Sequence, residues 1–250
     1  MVHGAFCGGW VFEGFRQPFE AQGYECLTPT LRGHAGPSSG ETARGSDVAG
    51  VSMSDYAADL VALIRAEPVP PVLIGHSLGG LVAQMAAARA EVEALILLAP
   101  SAPWGVAGAS MEEAASAFGL YALGPFWAQA VQPDHAVARL YSLDKMDEAE
   151  RDAVTRRMTA ESGRALFETL NWWLDPFMTT QVDADRIHAP AFAAVGDRDL
   201  IHPPATVRQT AARLNADVRV FAGMSHWLIG EPGWETVAAA CLDWLSVKLA

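Results

Sequence analysis

The chain has 250 residues, 51% of them apolar, and a formal net charge of −12. That is enough for one large domain with a full core, and the acidic balance argues against nucleic acid as a partner, because phosphate contacts need clustered Lys and Arg. No apolar run reaches the ~18–20 residues of a membrane span, and no basic segment followed by an apolar one opens the chain as a signal peptide would. Cys7, Cys26 and Cys241 are odd in number and widely spaced, which reads as reduced thiols of a cytoplasmic protein and not as a disulfide framework or zinc site.

In chain order, Met1-Val2-His3-Gly4 reads as a strand end turning into a Gly-rich loop. Residues 10–22 read as a helix with Trp10, Phe15 and Phe19 toward the core, and 24–28 as a strand. Leu31-Arg32-Gly33-His34 begins a polar loop, and the Gly-, Ser- and Thr-rich 38–52 is expected to be its least ordered part. Ser54 is a candidate N-cap for a helix running to Ala66, with Tyr56, Leu60, Leu63 and Ile64 on one face. Pro68, Pro70 and Pro71 end it.

Val72-Leu73-Ile74 then reads as a short buried strand, Gly75-His76-Ser77-Leu78-Gly79 as a sharp turn, and 81–88 as a helix. A second apolar run, 94–99, stops at Pro100. Alternation of this kind calls for a parallel sheet covered by helices on both faces. From 103 to 186 the pattern is helical without a convincing strand, with expected helices at 111–123, 125–130, 134–141, 148–161 and 163–173. Such a segment is too long for a loop and reads as a helical insertion over one end of the sheet. Trp104, Phe118, Tyr121, Phe126, Trp127, Trp172, Trp173 and Phe177 make it aromatic-rich, enough to pack it down and to line an apolar pocket. The α/β rhythm resumes with a strand at 191–195, a turn at 196–199, a helix at 205–214, a strand at 217–221, a loop at 222–226 and a closing helix at 234–248.

A serine at the apex of a strand–turn–helix holds its hydroxyl clear of the sheet. Gly75 and Gly79 let strand and helix approach, and the N–H of Leu78 opens the helix, where an oxyanion is favoured. The hydroxyl needs a base, and the base an orienting acid. In open α/β sheets, sites lie beyond the carboxyl ends of the strands. His226 follows the last strand and is the candidate base; His34, His76, His135, His188 and His202 are weaker placements, and His3 is expected to hold the loop beside it. Asp197 and Asp199 both follow the strand ending at Val195; Asp199 is the favoured acid, with Asp197 expected to cap the turn. Pro100-Ser101-Ala102-Pro103 offers no carboxylate.

The order Ser77, Asp199, His226 resembles that of the α/β-hydrolase triad, and the resemblance spans nearly the whole chain: His3-Gly4-Ala5, Arg32-Gly33-His34, Gly75-His76-Ser77-Leu78-Gly79-Gly80, Gly196-Asp197-Arg198-Asp199 and Ser225-His226. It implies an α/β-hydrolase fold, a mostly parallel sheet flanked by helices, with 1–102 and 187–250 as core and 103–186 as a helical cap. His-Gly-Ala with Gly-His-Ser-Leu-Gly-Gly is similar to the plant methylesterase and hydroxynitrile lyase group, which implies Ala5 and Leu78 as the oxyanion donors. Lyases of that group use a lysine near the histidine, and Trp227-Leu228-Ile229-Gly230 supplies none. A haloalkane dehalogenase would need Asp where Ser77 stands. Family members carry further strands before His-Gly, where only Met1 and Val2 stand here. The expectation is a serine esterase acting on a small to medium, mostly apolar carboxylic ester, with Phe6, Trp104, Phe126, Trp172 and Trp227 contacting substrate. No metal or organic cofactor is implied, and a monomer or homodimer is expected. Lactone opening, carbon–carbon bond hydrolysis and a ligand-binding receptor on the same scaffold are the alternatives.

Overall fold

The computed structural model describes residues 1–34, 48–108, 110 and 119–250. In chain order its principal elements are α1 (Gln17–Ala21), α2 (Met53–Ala66), β1 (Val72–His76), α3 (Leu78–Ala87), β2 (Ala94–Leu98), β3 (Ala130–Val131), α4 (Glu148–Thr155), β4 (Glu161–Ser162), α5 (Gly163–Leu170), β5 (Ala191–Gly196), α6 (Pro204–Arg213), β6 (Asp217–Phe221) and α7 (Trp234–Lys248). Among the described residues the main sheet runs β1-β2-β5-β6, all parallel. Val2 adds a single parallel bridge to Gly75 on the free side of β1.

β1, β2 and β5 are apolar on both faces because both faces are covered, while the edge strand β6 alternates, with Asp217 and Arg219 exposed. Along β2, Leu95 and Leu97 join Tyr56, Leu60, Leu81, Met85 and Val207 in the core beneath α2, α3 and α6. Ala94, Ile96 and Leu98 point the other way, to Phe12, Phe15, Phe19, Val237 and Cys241 beneath α1 and α7. No helix among the described residues is long and apolar enough to cross a membrane.

Local chemistry shifts several expected boundaries. The N-cap of α2 is Ser52, not Ser54: Ser52 and Asp55 form a reciprocal capping box, with the Ser52 N–H donating to Asp55 Oδ2 at 2.8 Å. Leu63 lies beyond the edge of the buried stripe of Tyr56, Ala57, Leu60, Val61 and Ile64, and is 46% exposed. The stretch 10–22 is a 3₁₀ turn (Gly9–Phe12) followed by α1, with Pro18 in the first turn of α1, where its missing N–H does no harm. The expected strand at 24–28 is unpaired coil, tied down where the Met1 ammonium donates to the Leu27 carbonyl at 2.7 Å. Most of the polar loop, 38–47, lies outside the described residues, as do Phe118 and 111–118 of the expected helix 111–123.

Among the described residues between β2 and β5 the chain is less helical than expected. Phe126–Ala128 is a 3₁₀ turn, a helical turn at His135–Val137 passes into a π turn (Ala138–Ser142), and α4 stops at Thr155. The stretch also holds strands: β3 pairs antiparallel with β4. Two residues per strand carry too short an alternation to be visible in sequence. The segment is tied to the core by side chains: Glu168 on α5 accepts from Met53 N–H and Ser52 Oγ, both at 2.8 Å, and Ser162 Oγ donates to the Val51 carbonyl at 2.5 Å. Glu168 thereby places negative charge at the N-terminus of α2.

Candidate active site

Ser77 joins β1 to α3 with φ 54° and ψ −124°, outside the ordinary regions for a residue with a Cβ. The turn closes only because its flanks are glycine: a Cβ on Gly75 would lie 2.4 Å from the Gly79 carbonyl oxygen, and one on Gly79 2.3 Å from those of Val2 and His3. The end of β2 pins the turn, with Ser77 N–H donating to Leu98 O (3.0 Å) and Ser101 N–H to Ser77 O (2.9 Å).

The loop after β6 brings His226 Nε2 to 3.0 Å from Ser77 Oγ, and the turn after β5 brings Asp199 Oδ2 to 2.9 Å from His226 Nδ1. Asp199 is 2% exposed. Burial pushes its pKa up, but the His226 partner and backbone N–H groups outweigh it and hold the carboxyl below its ordinary range. Its Oδ1 accepts from Ile201 N–H (2.9 Å) and His202 N–H (2.8 Å). A carboxylate so placed accepts Nδ1–H and leaves Nε2 toward the serine. Asp197 is elsewhere, accepting from Gly223 N–H at 2.7 Å across the turn after β6.

Two further histidines back His226. His76 Nε2–H donates to the His226 carbonyl at 2.9 Å, and its ring lies 5.1 Å from the His226 ring. His202 lies 5.3 Å from it on another side, with Nε2 at 2.9 Å from Ser101 Oγ. Burial, then the neighbouring His226, push both pKa values down to about 3. Glu231 supports the same loop: its Oε1 accepts from Ser225 N–H at 2.8 Å, and burial raises its pKa to about 7. Sequence reasoning missed Glu231 and the support from His76, because neither position carries a motif of its own.

Leu78 is the first residue of α3, where N–H groups have no partner within the helix. The loop carrying Ala5 lies against the serine, since a Cβ on Gly4 would be 2.9 Å from Ser77 Cβ. His3 holds this loop: its Nε2 accepts from Leu31 N–H at 2.9 Å and its Nδ1–H donates to the Gly4 carbonyl at 2.8 Å.

The aromatic residues divide. Trp104 and Trp172 meet edge to face at 5.4 Å, joining the two ends of the segment between β2 and β5. Phe6 packs partly buried on a small cluster of Phe126, Val131 and Leu166, in which Phe126 is fully buried. Trp227 is 5% exposed and packs on the His76 ring at 5.5 Å, within the core beneath α7. A cleft of about 1120 Å³ lies at the other ends of the strands, among Val69, Val92 and Ile187, away from Ser77.

A family model described as the alpha/beta hydrolase family matches residues 1–240. The chain is 25% identical to the caffeoylshikimate esterase of Arabidopsis thaliana over 96% of this chain and 74% of that protein. Its fold is similar to that of a methylesterase from Arabidopsis (TM-score 0.74, 17% identity, 98% of each chain covered). Methylketone synthase I of tomato is another structural neighbour (TM-score 0.76, 16% identity, 99% of this chain and 96% of that one). The parallel sheet, the serine turn at its carboxyl edge and the family match together place this chain in the alpha/beta hydrolase family.

Proposed function

We propose that the protein is a serine esterase acting on a small to medium, mostly apolar carboxylic ester. The observation that carries this is the row Ser77–His226–Asp199, linked at 3.0 and 2.9 Å with the serine on a strained turn. Ser77 Oγ attacks the ester carbonyl while its proton passes to His226 Nε2, and the carbonyl electron pair moves onto oxygen. The N–H groups of Ala5 and Leu78 hold that oxyanion, each worth on the order of 3 kcal/mol. The tetrahedral centre collapses, the alcohol leaves with the proton from His226, and Asp199 stabilises the imidazolium in between. Water then repeats the cycle on the acyl-serine, with its proton passing through His226 and the acid released.

Residues 1–102 and 187–250 form the catalytic core in this reading, and 103–186 is a cap that shapes the pocket with Phe6, Trp104 and Trp172. The esterase names among the relatives support the reaction class. The three free thiols support a cytoplasmic setting.

Hydrolysis of p-nitrophenyl esters of rising acyl length tests the reading. The parent is expected to turn over short to medium chains and Ser77→Ala to lose at least about 10⁴-fold in kcat. Hydrolysis that survives the substitution, or none in the parent, would overturn it in favour of lactone, carbon–carbon or receptor chemistry.

A further inference from the structure

Outside the row of Ser77, His226 and Asp199, one cluster of titratable groups reaches the site through the backbone. Glu161 on β4 is completely buried, and its carboxylate gathers donors from four parts of the chain. Oε1 accepts from Tyr56 Oη and from Ser162 N–H, both at 2.7 Å. Oε2 accepts from His34 Nε2 at 2.9 Å and from Phe6 N–H at 3.3 Å. The other His34 nitrogen, Nδ1, faces the Arg32 carbonyl at 3.1 Å. Both ring nitrogens therefore meet groups that only accept, which is the pattern of an imidazolium paired with a carboxylate.

The contact to Phe6 matters because of where Phe6 stands. It follows Ala5 and has φ 63°, a conformation an L residue holds only under constraint. The constraint comes from the segment around β4 on both sides: Thr159 N–H donates to the Phe6 carbonyl at 2.9 Å, and Glu161 takes the Phe6 N–H. On the near side, His3 Nδ1–H holds the Gly4 carbonyl at 2.8 Å, and that carbonyl shares its peptide plane with the Ala5 N–H. Both peptide planes flanking Ala5 are thus set by buried side chains, one by His3 and one by Glu161.

We propose that Glu161, paired with His34, is a positioning residue for the oxyanion loop: through it the segment between β2 and β5 fixes the peptide plane that follows Ala5, and with the His3 contact on the plane before it this holds the Ala5 N–H in place. This deepens the esterase reading and rests on it. In Glu161→Gln an NH₂ on the Phe6 side opens the clamp outright, and an NH₂ on the Ser162 side leaves Phe6 N–H and His34 a neutral oxygen in place of a charged one, so the clamp is weakened at nearly constant volume.

The test compares the parent, E161Q, E161D and Y56F on p-nitrophenyl butyrate and on an alkyl trifluoromethyl ketone, whose serine adduct carries the oxyanion. E161Q is expected to lower kcat about tenfold to a hundredfold with KM within about threefold, and to weaken the ketone by a similar factor. Y56F, which takes a donor from Glu161 without touching Phe6, is expected to keep kcat within about threefold. Should E161Q not fold, E161D carries the same test: it keeps the charge beside His34 and draws the carboxylate back from Phe6 by one methylene. Parental kcat in the folded variants, or a loss confined to KM with unchanged ketone inhibition, overturns the proposal. Failure of the esterase reading shows separately, as a parent whose hydrolysis is absent or insensitive to Ser77→Ala, and it removes the premise with it.

Discussion

Asp199–His226 and Glu161–His34 are both buried carboxylate–histidine pairs with an N···O distance of 2.9 Å. Each carboxylate also takes backbone N–H groups, from Ile201 and His202 in the first pair and from Ser162 and Phe6 in the second. They differ at the far nitrogen of the ring. His34 Nδ1 meets the Arg32 carbonyl, which can only accept, so the ring is closed as a donor on both sides. His226 Nε2 meets the Ser77 hydroxyl, which can give up its proton. Burial pulls the His34 pKa down, but the Glu161 charge outweighs it and the net shift is upward. In the proposed reaction the difference lies in the outer nitrogen: only the His226 ring faces a group that can surrender a proton. With two acceptors the same pair is a joint.

The sharpest way to break this comparison is Asp199→Asn. It leaves the volume unchanged but lets His226 turn its protonated nitrogen toward Ser77, and kcat is expected to fall roughly 10³–10⁴-fold. Steady-state kinetics showing more than a tenth of parental kcat would mean that Asp199 is structural and the two pairs are alike.

A smaller effect tests the loop that holds His226. The Glu231 carboxyl has its pKa raised from 4.5 to about 7, by burial first and by the nearby Asp144 charge as well. An acid whose pKa rises on folding binds its proton more tightly when folded. Its contribution to stability is therefore complete below about pH 4.5 and lost as pH rises through about 7. Glu231→Gln is expected to flatten the fall in Tm between pH 5 and 8.5 and to raise Tm by a few degrees at the upper end. Parallel Tm curves for parent and variant would show that this carboxyl does not titrate in that range.

The smallest expected effect concerns Ser101, whose Oγ lies 2.9 Å from His202 Nε2 and so imitates a second serine–histidine pair. Among the described residues no carboxylate contacts the His202 ring; Asp199 takes its backbone N–H instead. Ser101→Ala is expected to keep kcat/KM within about threefold, and a tenfold loss would bring His202 into the reaction.

The elbow was legible because its demands are local. Apolar β-branched residues, glycines at both flanks of Ser77 and a helix-forming run afterwards each narrow the same few torsions. Asp199 and His226 could be singled out because each follows the carboxyl end of an apolar strand, and the parallel sheet carries those ends to one edge. The segment between β2 and β5 was far less legible. Among its described residues the strands are two residues long and the helices are short or pass into 3₁₀ and π turns, and nothing in the sequence marks how deeply Phe126 and Trp227 are buried. Ser52 was overlooked as a cap because its partner in the capping box is Asp55, where the usual signature has Glu or Gln.

By itself, then, the sequence determined the alternation of strands and helices, the parallel sheet and the turn that presents Ser77, since those follow from periodicity and from backbone torsions a few residues apart. Tertiary structure alone decided which buried charges meet. Glu161 lies 127 residues from His34 and 155 from Phe6, and nothing local to any of the three marks the others. The fold brings them together because a buried carboxylate is costly without donors, and only the packed chain can bring donors from three distant segments, at Phe6, His34 and Tyr56, to one side chain.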